Sequence, residues 1–177
     1  MSHRDGNGHV RSTSGERFWG RYGAAGLLLA VPAPEGSSEA TEPGTAVLLQ
    51  RRAWWTDHGG TWGIPGGAVD SHENATQAAL RELREETHIW GRQVAVRATE
   101  VTKTAELAGG GVWTYTTVIA TAGGRLTAVG GGESEALRWV PVSDVTELRL
   151  HPGLAASWQH LAALVANLTS GARQETI

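Results

Sequence analysis

The stretch that decides the fold is "GTWGIPGGAVDSHENATQAALRELREETHI", residues 60–89. It opens as a glycine-rich and proline-containing loop and continues into a run of good helix formers. Asn74 and Gln77 have the spacing of a capping box, so we expect a helix to begin directly after Asn74. His88 stands where this helix should end, and histidine is one of the residue types that tolerate a left-handed backbone. The stretch therefore predicts a loop, a helix and a left-handed cap.

The predicted helix carries an unusual concentration of acidic residues on one face. Glu82, Glu85 and Glu86 are three and four residues apart and so share that face. Arg81 can relieve part of their repulsion, but a solvated surface would be expected to carry more interleaved cations. Crowded carboxylates provide the oxygen ligands that a hard divalent cation such as Mg²⁺ prefers. We therefore expect the face to bind a divalent metal ion.

The rest of the chain is typical of an α/β protein. A second helix is expected from about Pro152, where a proline precedes apolar residues at helical spacing. The pair Gly123 and Gly124 predicts a tight turn and an antiparallel hairpin between the runs that flank it. Strands are predicted for residues 24–31, 46–52, 93–101, 112–122, 125–129 and 136–142.

Composition limits the class of protein. The chain has 177 residues, for which we expect a disordered segment over 1–17, a single domain over 18–169 and a flexible tail over 170–177. A net charge of −3 and the lack of any basic run argue against a polymeric nucleic acid partner. The absence of cysteine excludes disulfides, thiolate metal sites and a cysteine nucleophile. The apolar runs are too short to span a membrane, and the N-terminal segment lacks the apolar core of a signal peptide. We therefore expect a cytoplasmic protein without a membrane partner.

The loop and helix together resemble the signature of the Nudix hydrolase family. That signature runs glycine, five residues, glutamate, seven residues, then Arg-Glu-apolar-x-Glu-Glu-x-Gly-apolar. Only its second glycine is replaced here, by His88. Trp62 and the run Pro65, Gly66 and Gly67 also look like the usual lead-in. The matching positions are Gly67, Glu73, Arg81, Glu82, Leu83, Glu85, Glu86 and Ile89.

The resemblance implies a fold and an activity. The fold would be a Nudix-type α/β/α sandwich with a mixed sheet between helices. The activity would be Mg²⁺-dependent hydrolysis of the pyrophosphate linkage in a nucleoside diphosphate linked to another group, with Mn²⁺ as a substitute. Nucleoside triphosphates, oxidised nucleotides and ADP-ribose all carry that linkage, so the partner would be a small-molecule nucleotide. The oligomeric state stays open, with a homodimer as one alternative.

The resemblance also implies roles for the acidic residues. Glu85 and Glu86 would be the principal metal ligands, with the carbonyl oxygen of Gly66 as a further donor. Glu82 would either be a third ligand or take a proton from the attacking water. We count Arg81 among the catalytic residues because it would hold the glutamates in place.

Two residues of the loop would support this arrangement. Glu73 is expected to pair with Arg81, although a solvated loop acid is the alternative interpretation. Gly67 would let the loop backbone approach the helix without a Cβ in the way.

Residues outside the signature are weaker candidates. A water-attack mechanism in this family often uses one more carboxylate, for which we favour Glu133, in the glycine-rich segment before the last predicted strand, over its neighbour Glu135. Trp62, Trp113 and His58 are candidate substrate contacts, because aromatic rings stack on bases and histidines contact phosphate. Glu135 is a further candidate substrate contact.

Two other functional classes are compatible with an acidic helix. A non-catalytic Nudix-like module could sense a nucleotide or ADP-ribose, and a protein-interaction domain could carry an acidic helix without any metal. Loss of Glu82, Glu85 or Glu86 would mark the sensing module, and all three are present. The interaction domain would leave the lead-in of Pro65, Gly66 and Gly67 unexplained. A hydrolase is therefore the favoured interpretation.

Overall fold

A mixed β-sheet lies between two helices in the computed structural model, which describes residues 4–33, 44–132 and 134–171. Short 3₁₀ turns at Gly91–Gln93 and Val142–Glu147 connect some of its elements. In chain order the strands and helices are β1 (His9–Arg11), β2 (Arg17–Trp19), β3 (Ala24–Val31), β4 (Ala46–Arg52), β5 (Trp62–Gly63), β6 (Gly66–Ala68), α1 (Ala75–Thr87), β7 (Ala95–Glu106), β8 (Val112–Thr121), β9 (Ser134–Pro141) and α2 (Pro152–Gly171).

Strand β3 is the centre of the sheet, and all eight of its residues are buried. A continuous apolar run of this kind is expected where both faces of a strand are covered. It pairs in parallel with β8 and antiparallel with β4 and β6. The main order is β5-β4-β3-β8-β7, with β6 added to β3 and β9 added to β4.

Each face of the sheet packs against one helix. On the α1 face the buried side chains include Leu27, Leu29, Leu48, Leu83 and Val118. On the α2 face they include Leu28, Val47, Ile119, Trp158 and Leu161. Alternate residues of β3 and β4 thus serve opposite cores, as the two-residue period of a strand requires. The predicted α/β/α sandwich with a mixed sheet is confirmed.

One predicted strand is wrong. Residues 125–129 form no strand, and β8 pairs with β3 and β7 instead of with that segment. The segment lies along the end of α1, where the Val129 amide donates to the Thr87 carbonyl oxygen at 2.9 Å. The Trp139 indole donates to the Leu126 carbonyl oxygen at 3.1 Å. Backbone contacts with α1 and β9 replace the expected hairpin.

The terminal segments differ in part from expectation. We expected residues 1–17 to be disordered, but from residue 4 onward they have a defined path, and β1 pairs antiparallel with β2. At the other end α2 continues to Gly171, so it includes the first residues of the expected tail. Residues 1–3 and 172–177 lie outside the described residues. Within the described ranges, no helix has both the length and the apolar character needed to cross a membrane.

Candidate active site

Helix α1 begins and ends as its sequence predicts. The Asn74 side chain accepts a hydrogen bond from the Gln77 amide at 2.9 Å, and the Gln77 side chain accepts one from the Asn74 amide at 2.9 Å. His88 has the left-handed values φ 59° and ψ 14°, and its amide donates to the Arg84 carbonyl oxygen. The His88 ring Nδ1 lies 2.9 Å from the Val129 carbonyl oxygen. The histidine therefore serves as the helix cap.

Arg81 joins the signature loop (residues 66–73) to helix α1. Its Nε and Nη2 donate to the two carboxylate oxygens of Glu73, both at 2.7 Å. Nη2 also donates to the Ala68 carbonyl oxygen at 2.9 Å, and Nη1 donates to Glu82. These bonds lower the pKa of Glu73, because the guanidinium stabilises the carboxylate form. Arg81 is thus committed to holding neighbours in place rather than facing solvent.

Glu86 is held by groups from two strands. The Gly66 amide donates to its Oε2 at 2.8 Å, and the Gln50 side chain donates to its Oε1 at 3.3 Å. The Ser134 hydroxyl in turn donates to Gln50 Oε1 at 3.1 Å. Sequence reasoning missed Gln50 and Ser134, although a polar residue within the apolar run of β4 was a usable signal. Gln50 is only 1% exposed, so it must pair with another polar group.

Glu82 and Glu85 are engaged by arginines. Glu82 is 7% exposed, and burial raises its pKa, while the nearby charges of Arg81 and Arg4 oppose that shift. Arg4, from the beginning of the chain, donates to Glu85 and has its Nη1 3.8 Å from Glu82. Nothing in the sequence pointed to Arg4, because 77 residues separate it from the first of these glutamates.

The two glycines of the loop are required by close packing. A Cβ added to Gly67 would lie 2.6 Å from Oε1 of Glu82. A Cβ added to Gly66 would lie 2.6 Å from the Ala25 carbonyl oxygen. Both distances are too short for a side chain, so glycine lets the loop lie directly between β3 and the acidic face of α1.

The donors at this face fit a hard divalent cation. They are the carboxylate oxygens of three glutamates on a single helix face, and two of these glutamates, Glu82 and Glu86, are largely buried. A second set of possible metal ligands has its ligand atoms within 4.8 Å of one another and consists of Asp70, His72 and Glu73. Both Glu73 oxygens in that set accept hydrogen bonds from Arg81.

Trp113 is not available to bind a substrate base. It is 5% exposed, its ring stacks on Phe18 at 4.5 Å, and its indole nitrogen donates to the Gly20 carbonyl oxygen at 2.9 Å. Its assignment as a substrate contact is therefore corrected: the ring belongs to a small core beneath β1 and β2.

Trp62 and His58 contribute to a second cluster, the histidine corner (His58, Trp62 and His151). The His58 and His151 rings meet edge to face at 4.8 Å, and the His151 amide donates to the Trp62 carbonyl oxygen at 2.8 Å. Burial, together with the smaller effect of the positive charge of Arg52, lowers the pKa of His151 to about 4. The His151 imidazole is thus held neutral near pH 7.

Of the two late carboxylates, the structure places only Glu135. Its Oε1 accepts a hydrogen bond from the Trp54 amide at 3.1 Å, and its Oε2 lies 3.5 Å from Arg51 Nε. Glu135 therefore contacts residues at and just after the C-terminal end of β4. Glu133 lies outside the described residues.

Tyr115 is a further residue at the site that sequence reasoning did not assign. Its hydroxyl oxygen would lie 2.2 Å from a Cβ on Gly26 and 3.0 Å from a Cβ on Gly66. Burial raises the pKa of this phenol, and the charge of Glu86 adds to the effect. A neutral hydroxyl therefore lies beside the loop that contacts Glu86.

Known proteins share both the sequence and the fold. The model of the NUDIX domain family matches residues 39–162. A Mycobacterium tuberculosis protein named "Putative 8-oxo-dGTP diphosphatase 3" is 52% identical over 166 residues, which cover 93% of this chain and 72% of that protein. The crystal structure of a Nudix hydrolase from M. smegmatis, RenU, superposes with a TM-score of 0.84 at 51% identity, covering 92% of this chain and 96% of that one.

More distant structures share the fold alone. A C. elegans Ap4A hydrolase superposes with a TM-score of 0.63 at 22% identity, over 82% of this chain and 98% of that one.

Proposed function

The chain belongs to the Nudix hydrolase family and is a nucleotide pyrophosphohydrolase, and we propose that its substrate is an oxidised purine nucleoside triphosphate such as 8-oxo-dGTP. The observation that supports this substrate is the 52% identity, over 93% of the chain, to the M. tuberculosis protein named "Putative 8-oxo-dGTP diphosphatase 3". The products would be the nucleoside monophosphate and pyrophosphate.

We propose Glu82, Glu85 and Glu86 as the ligands of Mg²⁺, with Mn²⁺ as a substitute. A cation bound by these residues would neutralise phosphate oxygens and lower the pKa of a bound water. We also propose the Gly66 carbonyl oxygen as a further donor, because Gly66 lies next to Glu86 and its amide donates to that carboxylate. The buried, all-oxygen character of the face supports this assignment.

The protein groups around these ligands act by fixing their orientation. Arg81 donates a hydrogen bond to Glu82 through Nη1 and contacts Glu73 through Nε, so it fixes Glu82 next to the signature loop. Gln50 and the Gly66 amide restrict Glu86 to one arrangement. Supporting contacts of this kind raise the affinity of a metal site, because little side-chain freedom is left to lose on binding.

Glu133 is proposed as the base that takes the proton from water. Its neighbour Glu135 contacts the Trp54 amide and Arg51, which makes it less suited to that role. Glu133→Gln is expected to lower kcat by about 10²- to 10⁴-fold with little change in KM, since general base catalysis contributes on that scale. Glu135→Gln is the matched control. If only Glu135→Gln lowers kcat, the roles are reversed, and if neither does, Glu82 is the base.

The substrate is tested with purified protein, Mg²⁺ and a nucleotide panel, with products separated by chromatography. The panel contains 8-oxo-dGTP, dGTP, ADP-ribose and a dinucleoside tetraphosphate, and the expected result is the highest kcat/KM for 8-oxo-dGTP. The sharpest comparison is with dGTP, which has the same polyphosphate and differs only in the base. Equal or higher kcat/KM for dGTP or for a diphosphate-linked compound would refute the proposed substrate.

A further inference from the structure

The start of the described chain is fastened to the signature loop, and we call residues 4–8 the N-terminal arm. The Asp5 carboxylate accepts hydrogen bonds from the Ser71 amide at 3.0 Å and the Ser71 hydroxyl at 2.6 Å. The Gly6 amide donates to Asp70 Oδ1 at 2.8 Å. A Cβ on Gly6 would lie 2.1 Å from the Val69 carbonyl oxygen, so the arm lies directly on the loop backbone.

A second pair of bonds fixes the far end of the arm. The Arg21 amide donates to the Gly6 carbonyl oxygen and the Gly20 amide donates to the Gly8 carbonyl oxygen, both at 2.8 Å. Gly8 has a φ of 147°, which favours glycine, and the Arg21 side chain lies against it. The path of the arm is thus set on both sides of Asp5, and this determines where Arg4 is presented.

Arg4 reaches the acidic face from this anchored arm. Its guanidinium donates to Glu85, and its Nη1 lies 3.8 Å from Glu82. The Arg4 side chain is 42% exposed, whereas that of Arg81 is 12% exposed. Arg4 therefore combines a position at the proposed metal ligands with access to solvent.

The neighbouring arginines are less suited to contact a substrate. Arg81 is bonded to Glu73, Glu82 and the Ala68 carbonyl oxygen. Arg84 lies over the ring of Trp90, with its guanidinium carbon 5.3 Å from the ring centre. Among the residues that the structure describes, the partners of Arg4 are the carboxylates of Glu82 and Glu85, and a divalent cation bound to those carboxylates would compete with Arg4 directly.

We propose that Arg4 is a polyphosphate-binding residue of the active site, presented by the arm that Asp5 and Gly6 fasten to the signature loop. This inference rests on the proposed function only in that the substrate carries a polyphosphate. A chain of phosphates must approach an acidic face, and a cation beside that face lowers the electrostatic cost of the approach. The planar fork of arginine matches two phosphate oxygens at once. When metal takes up the charge of Glu82 and Glu85, the same guanidinium lies free to pair with phosphate.

The test uses inorganic tripolyphosphate, which has no base, so its outcome does not depend on which nucleoside is the substrate. Calorimetry with saturating Mg²⁺ would compare the wild type with Arg4→Ala, Arg4→Lys and Arg11→Ala. Arg11 is an exposed arginine of β1 and provides the matched loss of charge. Arg4→Ala is expected to weaken binding about tenfold or more, the scale of one charge-assisted hydrogen bond. Arg4→Lys should weaken it less, and Arg11→Ala should behave as wild type.

Kinetics with the preferred nucleotide would provide an independent measurement. Arg4→Ala should raise KM by a similar factor and leave kcat within about twofold, the pattern of a lost binding contact. Ser71→Ala, which removes the hydroxyl that bonds to Asp5, should shift KM in the same direction by a smaller factor. Melting temperatures would verify that each variant is folded.

Two outcomes would overturn the proposal. In the first, Arg4→Ala leaves tripolyphosphate affinity unchanged while Mn²⁺ binds more tightly, which would make Arg4 only a counter-ion of the glutamates. In the second, neither affinity changes, which would make the arm a purely structural segment. If only the proposed substrate were wrong, the enzyme would turn over dGTP and 8-oxo-dGTP equally well, and Arg4→Ala would still weaken the binding of tripolyphosphate.

Discussion

The acidic face of α1 and the histidine corner are held together in different ways. At the acidic face, the side chains of the signature bond to each other over short chain separations, as Arg81 does with Glu73, eight residues away. At the corner, His58 and His151 meet because backbone groups of Trp62 and His151 pair across a long separation. Side-chain pairs at fixed spacing leave a pattern in the sequence, whereas backbone pairing between distant segments leaves almost none.

The largest effect is expected from a change at the acidic face alone. Glu86→Gln keeps the size of the side chain but removes its charge, so turnover should fall by about 10²-fold or more, as for a lost electrostatic stabiliser. The measurement is kcat at saturating Mg²⁺, with circular dichroism to verify the fold. Glu147→Gln, at an exposed site, is the control. Wild-type turnover in a folded Glu86→Gln protein would remove Glu86 from the metal site.

The next effect concerns the side-chain pairing that distinguishes the acidic face. Arg81→Lys replaces a fork with a single ammonium, which cannot contact both Glu73 oxygens and the Ala68 carbonyl oxygen together. We expect the affinity for Mn²⁺ to fall by about 10- to 100-fold, as is usual when the support of a metal ligand is lost. Titration followed by electron paramagnetic resonance would measure it, with Arg84→Lys as the control on the same helix. An unchanged affinity would mean that the fork is dispensable.

The third prediction concerns the histidine corner and the pH dependence of protein stability. His151 takes up a proton near pH 6.5 when unfolded and only near pH 4 when folded, so its contribution to stability is complete above pH 6.5. That contribution is lost as the pH falls through this window, and because the ring is partly exposed we expect on the order of 1 kcal/mol. His151→Asn should therefore flatten the decline of Tm between pH 6.5 and about 4.

The control for this measurement is His160→Asn, at an exposed position on α2, which should keep the wild-type slope. If Tm depended on pH in the same way in His151→Asn and in the wild type, the histidine corner would not disfavour the protonated form of His151. A simultaneous loss of turnover would instead link the corner to the acidic face.

The smallest effect is expected at the helix cap. His88→Gly relieves a left-handed residue, a gain of about 1 kcal/mol, but it also removes the contact of the ring with the Val129 carbonyl oxygen. We therefore expect Tm to be preserved or slightly raised, with turnover nearly unchanged. A large loss of turnover in the folded variant would identify His88 as a substrate contact.

The sequence predicts best where local rules act without competition. Strands β3 and β4 have the predicted bounds, because each is an apolar run that ends at polar or glycine-rich segments. The capping box and the left-handed residue at His88 follow from rules that act within a few residues. The Glu73 and Arg81 pair was expected from its place in the signature, and it is present in the structure.

The errors arise where the partner lies far away in the chain. Leu126 and Ala128 alternate with polar residues as a strand would, but they pack against the α1 core instead of pairing with β8. Trp113 is a candidate for stacking on a base when only its aromatic character is known, but its ring stacks on Phe18, 95 residues earlier. Arg4 and Gln50 were missed because their partners on α1 could not be inferred from local spacing.

The parallel pairing of β3 with β8 sets the order in which the chain can fold. Every paired residue in that ladder is 91 positions from its partner, and α1 with its glutamates lies inside this interval. Closing so long a loop costs entropy before any contact repays it, so folding is expected on the slow, millisecond-to-second scale of non-local topologies. During synthesis the central strand has to wait for β8 to emerge from the ribosome. Until then the most apolar segment of the protein can pair only with β4 and β6, and a chaperone that binds extended apolar strands would find the β8 side of β3 exposed.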